Sequence, residues 1–186
     1  MKIKELADLY NHYLPSIEQM KERSIRFTSI VDDFEIRERQ RYLKFNYEIE
    51  IESEIAEKKL HQLVEQTNIS NLDPGNIVFY NKLEASDHVV NGLEFACQND
   101  YDRICLDISN STIVWYNNDS DDVEIIARNL DQFLLFLIEC HKYKMSELYN
   151  VEYSEEQSRA QIKNLIADGL SKAIVRDHIR INDFLL

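Results

Sequence analysis

Apolar side chains recur along this chain at two different periods, and the changes of period mark its elements. Over residues 3–13, Ile3, Leu6, Leu9, Tyr10 and Tyr13 are spaced by threes and fours, which predicts a helix. Pro15 stops it and suits the first turn of a second helix over 16–30, where Ile17, Met20 and Ser24 share a face. The β-branched residues from Ile25 to Val31 blur that pattern, and residues 25–40 stay unassigned. Over 42–52 the period shortens to two. Phe45, Tyr47, Ile49 and Ile51 alternate with Asn46, Glu48, Glu50 and Glu52, predicting a strand with one buried and one acidic face. Ser53 is then placed to cap a helix of about 54–66, with Ala56, Leu60, Leu63 and Val64 inward.

Asp73, Pro74, Gly75 and Asn76 form a strong turn signal ahead of a short strand, 77–80. Residues 86–98 fit either a strand pair around Asn91 and Gly92 or a short helix. Residues 103–108 and 112–116 predict a β-hairpin joined by Ser109, Asn110 and Ser111. A polar loop, 117–122, leads to a strand over 123–127. Asn129 caps a strongly apolar helix over 130–143, with Gln132 in its third position. Its stripe of Leu130, Phe133, Leu134 and Leu137 is widened by Phe136 and Ile138, so cover on more than one side is expected, and Lys142 and Lys144 suit its negative end. Ser154 to Gln157 opens another helix with Ile162, Leu165 and Ile166 inward and Gly169 as its cap. The terminus Phe184, Leu185, Leu186 is expected to pack on the body or on a second subunit. The fold class is therefore α+β.

Charge changes the picture because of where it lies. The net charge is −13. Residues 1–44 hold nine Lys/Arg against eight Asp/Glu, residues 126–186 eight against nine, and residues 45–125 four against seventeen, so the excess sits in the middle segment. Such a segment either keeps the chain in solution or steers a basic partner on to it. Nucleic acid is disfavoured as a direct ligand, since phosphate binding needs clustered Lys and Arg. No apolar run approaches the roughly 20 residues of a membrane span. The charged N-terminus is unlike a signal peptide, so the expected address is the cytoplasm.

Candidate chemistry is sparse. The three glycines, 75, 92 and 169, form no phosphate-cradling cluster, and no Cys-x-x-Cys pairs the cysteines at 97, 105 and 140. Cys140 and His141 are neighbours on one helix and point about 100° apart, against a dyad. The loop Asn117-x-Asp119-x-Asp121 resembles a calcium loop, but Asp122 stands where glycine is needed and Arg128 where the bidentate Glu is needed. Neither a metal nor a cofactor is expected. Carboxylates at Glu48, Glu50 and Glu52 repeat every ~6.7 Å along a strand, too far for one ion to gather all three. They read as a solvated face or a partner-binding one. With Asp119, Asp121 and Asp122 they are the candidate acidic contacts. Trp115 and Tyr116 alternate faces of the hairpin, one expected in the core and the other available as an aromatic anchor.

The stretch from Asp102 through Trp115 and Tyr116, the acidic loop, and then Glu124 to Leu137 resembles the C-terminal half of the SUKH superfamily. Ala127, Leu130, Phe133 and Leu134 occupy its "Ala-x-x-Phe/Leu-x-x-Phe-Leu" pattern, and Leu14-Pro15 looks like its Leu-Pro at the second helix. The Asn-Gly that often follows that helix is missing. The resemblance implies a SUKH-like α+β domain over 1–145, one antiparallel sheet flanked by helices, with 146–186 as an extra C-terminal helical extension packed on the same domain. Bacterial members are commonly immunity proteins that neutralise polymorphic toxins, many of them nucleases, in the cytoplasm. The expected partner is thus a cognate, basic protein toxin. A regulatory or adaptor module, or a small enzyme with a site assembled from scattered residues, are the alternatives.

Overall fold

A computed structural model of the chain describes residues 1–27, 32–49, 52–72, 77–98 and 101–179. The turn expected at 73–76, Glu50, Ile51 and the apolar terminus 184–186 lie outside the described residues. The architecture is α+β. Helices α1 (Ile3–His12), α2 (Ile17–Phe27), α3 (Asp33–Leu43) and α4 (Ala56–Glu65) precede a five-stranded antiparallel sheet. Its strands are β1 (Ile77–Ala85), β2 (Gly92–Gln98), β3 (Asp102–Asp107), β4 (Thr112–Asn117) and β5 (Asp122–Ala127), followed by α5 (Leu130–Tyr149), α6 (Glu155–Ala167) and α7 (Lys172–His178). The strands pair in chain order, each with the next.

Helix α5 organises the rest. Asn129 accepts the Gln132 N–H at 2.8 Å, as the capping pattern predicts. The Gln132 side chain accepts from Arg128 N–H at 2.8 Å and donates to the Leu165 carbonyl at 3.1 Å, tying α6 to the start of α5. Leu130, Phe133, Leu134 and Leu137 are buried, and so are Phe136, Ile138, Cys140 and His141 on the other sides. The Phe133 ring meets Phe95 of β2 edge-on at 5.7 Å, and Phe95 in turn meets Phe79 of β1. Helix–sheet packing therefore starts from an aromatic line that crosses two strands. Ile162, Leu165, Leu170, Ile174, Val175 and Ile179 join the same core, so the C-terminal extension packs on the body.

Several local expectations are corrected. The described residues of 42–52 form no strand: α3 runs to Leu43, and the segment after it makes an isolated bridge, Tyr47 to Thr67. Phe45 is buried as predicted, because alternation reports burial on one side whether or not a ladder forms. Ser53 lies outside α4, whose N-cap is Ile55, and its hydroxyl accepts instead from Ile55 N–H at 3.2 Å. Strand β1 continues past Tyr80 to Ala85, with its register broken between Phe79 and Glu84. Residues 86–98 resolve into a loop and β2. Helix α5 runs past 143 and past the expected domain limit at 145. Met145 and Tyr149 pack with Met20 and Ile36, and Asn150, left-handed at φ 56°, ends the helix.

The end of α6 follows the sequence. Gly169 N–H bonds the Ile166 carbonyl and Leu170 N–H the Leu165 carbonyl, a reversal that requires the positive φ of 103° found at Gly169.

His141 is buried in this core. Its ring stacks on Tyr10 at 3.5 Å, and Nε2 lies 3.1 Å from the Tyr10 carbonyl. Burial pushes its pKa down to about 3, against about 6.5 in the unfolded chain. Between those values the unfolded state binds the extra proton, so this group's contribution to stability falls as pH drops from about 6.5 towards 3. Urea unfolding at pH 7, 5.5 and 4.5 is expected to show a shallower decline in His141→Phe than in the wild type.

Candidate protein-binding interface

Cross-strand partners share a face of the sheet, so the register sorts its two sides. Ile77, Phe79, Ala96, Ile104, Leu106, Ile113 and Ala127 face the helices. Val78, Cys97, Glu94, Arg103, Cys105, Val114, Tyr116, Val123 and Ile125 face away from them. The helix-free side is covered instead by the β1–β2 loop, 86–91. Ser86 Oγ accepts from the His88 and Val89 N–H groups and donates to Glu94 at 2.8 Å. Gly92 closes the loop, its N–H bonded to the Val89 carbonyl, where a Cβ would stand 2.8 Å from that of Val89. The loop delivers Val89 on to Cys105, Val114 and Tyr116 as a small second core.

Polar groups on this side are held in place. Arg103 donates to the Tyr80 hydroxyl at 3.0 Å and lies 3.9 Å from the Glu94 carboxylate. Burial, with Cys97 adding to it, pushes the Tyr80 phenol up to about 12. Burial likewise pushes the Cys105 thiol up to about 12, opposed by Ser86. Cys105 is therefore a protonated thiol at neutral pH and a poor nucleophile. Cys140 is buried inside α5, and its thiol is also raised well above its ordinary value by burial. Among the described residues no group of three His, Cys, Asp or Glu side chains is arranged to hold a metal ion.

Tyr116 is buried, its hydroxyl donating to Asp121 and its ring stacked under His88 at 4.2 Å. The hydrogen bond to Asp121 raises the phenol above its ordinary value. Trp115, on the other side of β4, is half-buried against the main core. The expectation of one core ring and one free aromatic anchor is thus corrected: both rings are packed, because the 86–91 loop covers what sheet parity alone leaves open.

Of the six candidate carboxylates, Glu50 lies outside the described residues, and the other five do not lie together. Glu48 is exposed beside the end of α4, its N–H bonded to the Gln66 carbonyl. Helix α4 packs on β1. Asp119, Asp121 and Asp122 are exposed at the β4–β5 turn, the other edge of the sheet. Four strand spacings, roughly 19 Å, separate the two edges. Glu52 is no surface residue. Both its oxygens accept the Ile3 N–H at 2.8 Å, capping α1, and Lys59 lies 3.5 Å away while also reaching Asp131 at 3.0 Å. Sequence reasoning missed Glu94, Arg103, Val123 and Ile125. Arg103 carried one signal, as the only Lys or Arg between Lys82 and Arg128.

Compared with protein-family models, curated proteins and solved structures, the chain matches none.

Removing the Glu52 carboxylate leaves Lys59 short of a partner in a half-dry site and the Ile3 N–H at the start of α1 without its acceptor. Glu52→Ala is expected to cost roughly 3 kcal/mol in urea unfolding, and Glu48→Ala no more than about 0.5 kcal/mol. Equal losses would refute the structural role of Glu52.

Proposed function

We propose that this chain is a protein-binding protein of the SUKH immunity kind, which neutralises a basic toxin by covering it. The observation that carries the reading is the charge of the sheet. Residues 77–127 hold ten Asp/Glu and two Lys/Arg, a balance of −8, and Asp119, Asp121, Asp122 and Glu124 of that stretch stand exposed together at the β4–β5 turn and on β5. Arg103 is engaged by Tyr80 and Glu94, Lys82 by Glu84, and no Lys or Arg lies between Arg103 and Arg128, so the β4–β5 end is one-signed. A one-signed surface accelerates encounter with the opposite charge and rejects like-charged partners. The buried, protonated thiols fit a surface that binds rather than reacts.

The antiparallel sheet flanked by helices agrees with the fold that the resemblance implies, and the Asp102–Leu137 stretch that carried it spans β3, β4, β5 and the start of α5. No helix among the described residues is long and apolar enough to cross a membrane. A cytoplasmic site of action belongs to this proposal.

The test is co-expression with the toxin encoded beside its gene. Growth is expected to be restored, and the two proteins to co-elute. Association measured by stopped flow should slow as salt rises. Replacing Asp119, Asp121 and Asp122 by Asn should slow it severalfold at low salt, on the order of the steering effects of surface charge. Replacing Glu152, Glu155 and Glu156 by Gln should change it little. Growth inhibition undiminished by the chain, with no complex formed, refutes the reading.

A further inference from the structure

The two edges of the sheet are treated differently. Strand β1 packs against α4 and the short turn Ile69–Asn71, its register is broken between Phe79 and Glu84, and Lys82 pairs with Glu84 at 2.9 Å. Cover, irregularity and an edge lysine are the usual devices that stop a strand from adding another. Among the described residues, strand β5 is covered only at its C-terminal end, where Ser171 N–H bonds the Ile126 carbonyl at 2.9 Å and Ser171 Oγ bonds Glu124. Asp122, Val123, Glu124 and Ile125 are all exposed.

We propose that this open length of β5, residues 122–125, takes an extended segment of the basic partner as a sixth strand. The inference rests on the protein-binding reading above and names its docking mode. Val123 and Ile125, 52% and 57% exposed, stand on the helix-free side next to buried Tyr116 and Val114. Asp122 and Glu124 stand on the other side, paired with Asn117 and Trp115. An incoming strand that alternates apolar with basic residues therefore places its apolar side chains beside Val123 and Ile125, and its cations beside Asp122 and Glu124. A second copy of this chain does not fit. Pairing β5 with itself sets Asp122 and Glu124 of both copies close together, in chains that each carry −13. Four carboxylates within 119–124 and no cation between Arg103 and Arg128 select a basic occupant.

The probe is a blocked synthetic peptide of about eight residues alternating Val and Lys, titrated into the isotope-labelled full chain and followed by amide NMR. Shift changes and slowed amide exchange are expected at 122–125, with little at Glu155 and Glu156. Exchanging its lysines for glutamates should abolish binding. N-methylation of alternate peptide residues should weaken binding roughly tenfold in one register and not in the other, since lost backbone hydrogen bonds cost about 1 kcal/mol each. The double variant Val123→Lys, Ile125→Lys should weaken binding by about as much, roughly tenfold, and keep its unfolding midpoint because both side chains are exposed. No binding, equal binding of both N-methylated peptides, or shifts spread evenly over the acidic helices each overturns the proposal. In the co-expression assay, wild type and double variant rescuing alike rejects the edge but leaves the protein-binding reading standing. Failure of the wild type rejects that reading, while the peptide still judges the edge.

Discussion

A helix of twenty residues with apolar side chains on nearly all sides has to be covered on nearly all sides, and α5 imposes that demand on everything else in this chain. One side takes the sheet through Phe133 and Phe95. Another takes α1, with Tyr10 stacked on His141. The far end takes α2 and α3 through Met20, Ile36, Met145 and Tyr149. The extension closes the remaining side, since Ile162, Leu165, Ile174 and Val175 belong to the core of the body. Residues 162–179 are thus one wall of the core that α5 needs.

That cover leaves polar groups inside, and several of them tie neighbouring elements together. Gln132 joins α5 to α6. Glu139 takes Lys142 at 2.6 Å and the Ser158 hydroxyl, again linking α5 to α6. Glu52 and Lys59 join α1 to α4, and Lys59 carries the link on to Asp131 of α5. Buried charge is costly when unpaired, so these links contribute less by their net strength than by penalising any arrangement that separates the helices.

Because the helices gather on one side of the sheet, the other side is left to a single loop. The 86–91 loop has enough apolar surface to shield Cys105, Val114 and Tyr116, but it does not extend across β5. The exposed aliphatic pair Val123 and Ile125 and the acidic β4–β5 turn lie where that cover ends. The same asymmetry that satisfies α5 thus leaves this strand edge and its acidic turn exposed.

Much of the helical framework was legible in the sequence, because it is written in spacings and caps that act over three or four residues. The α1 stripe, the Asn129 cap, the Gly169 reversal and the 103–116 hairpin are local matters, decided by neighbours along the chain. The candidate site was legible only in part: its acidity could be counted, but its geometry could not. Glu52 read as one of three equivalent carboxylates, and only the approach of Ile3, 49 residues away, made it a helix cap. One of Trp115 and Tyr116 read as a free anchor, but the 86–91 loop covers Tyr116 and the main core takes Trp115. The bulge between Glu94 and Ala96 shifts the parity of β2, which kept that strand ambiguous from spacing alone. Whether β5 was a central strand or an edge also had no local signature, since hydrogen bonding to a neighbouring strand is a property of the assembled sheet. Sequence determined the capped helices, the 103–116 hairpin and where the charge is carried. Tertiary structure alone decided which carboxylates are buried, which aromatics are covered and which strand edge stays open, because each depends on groups brought together from distant parts of the chain.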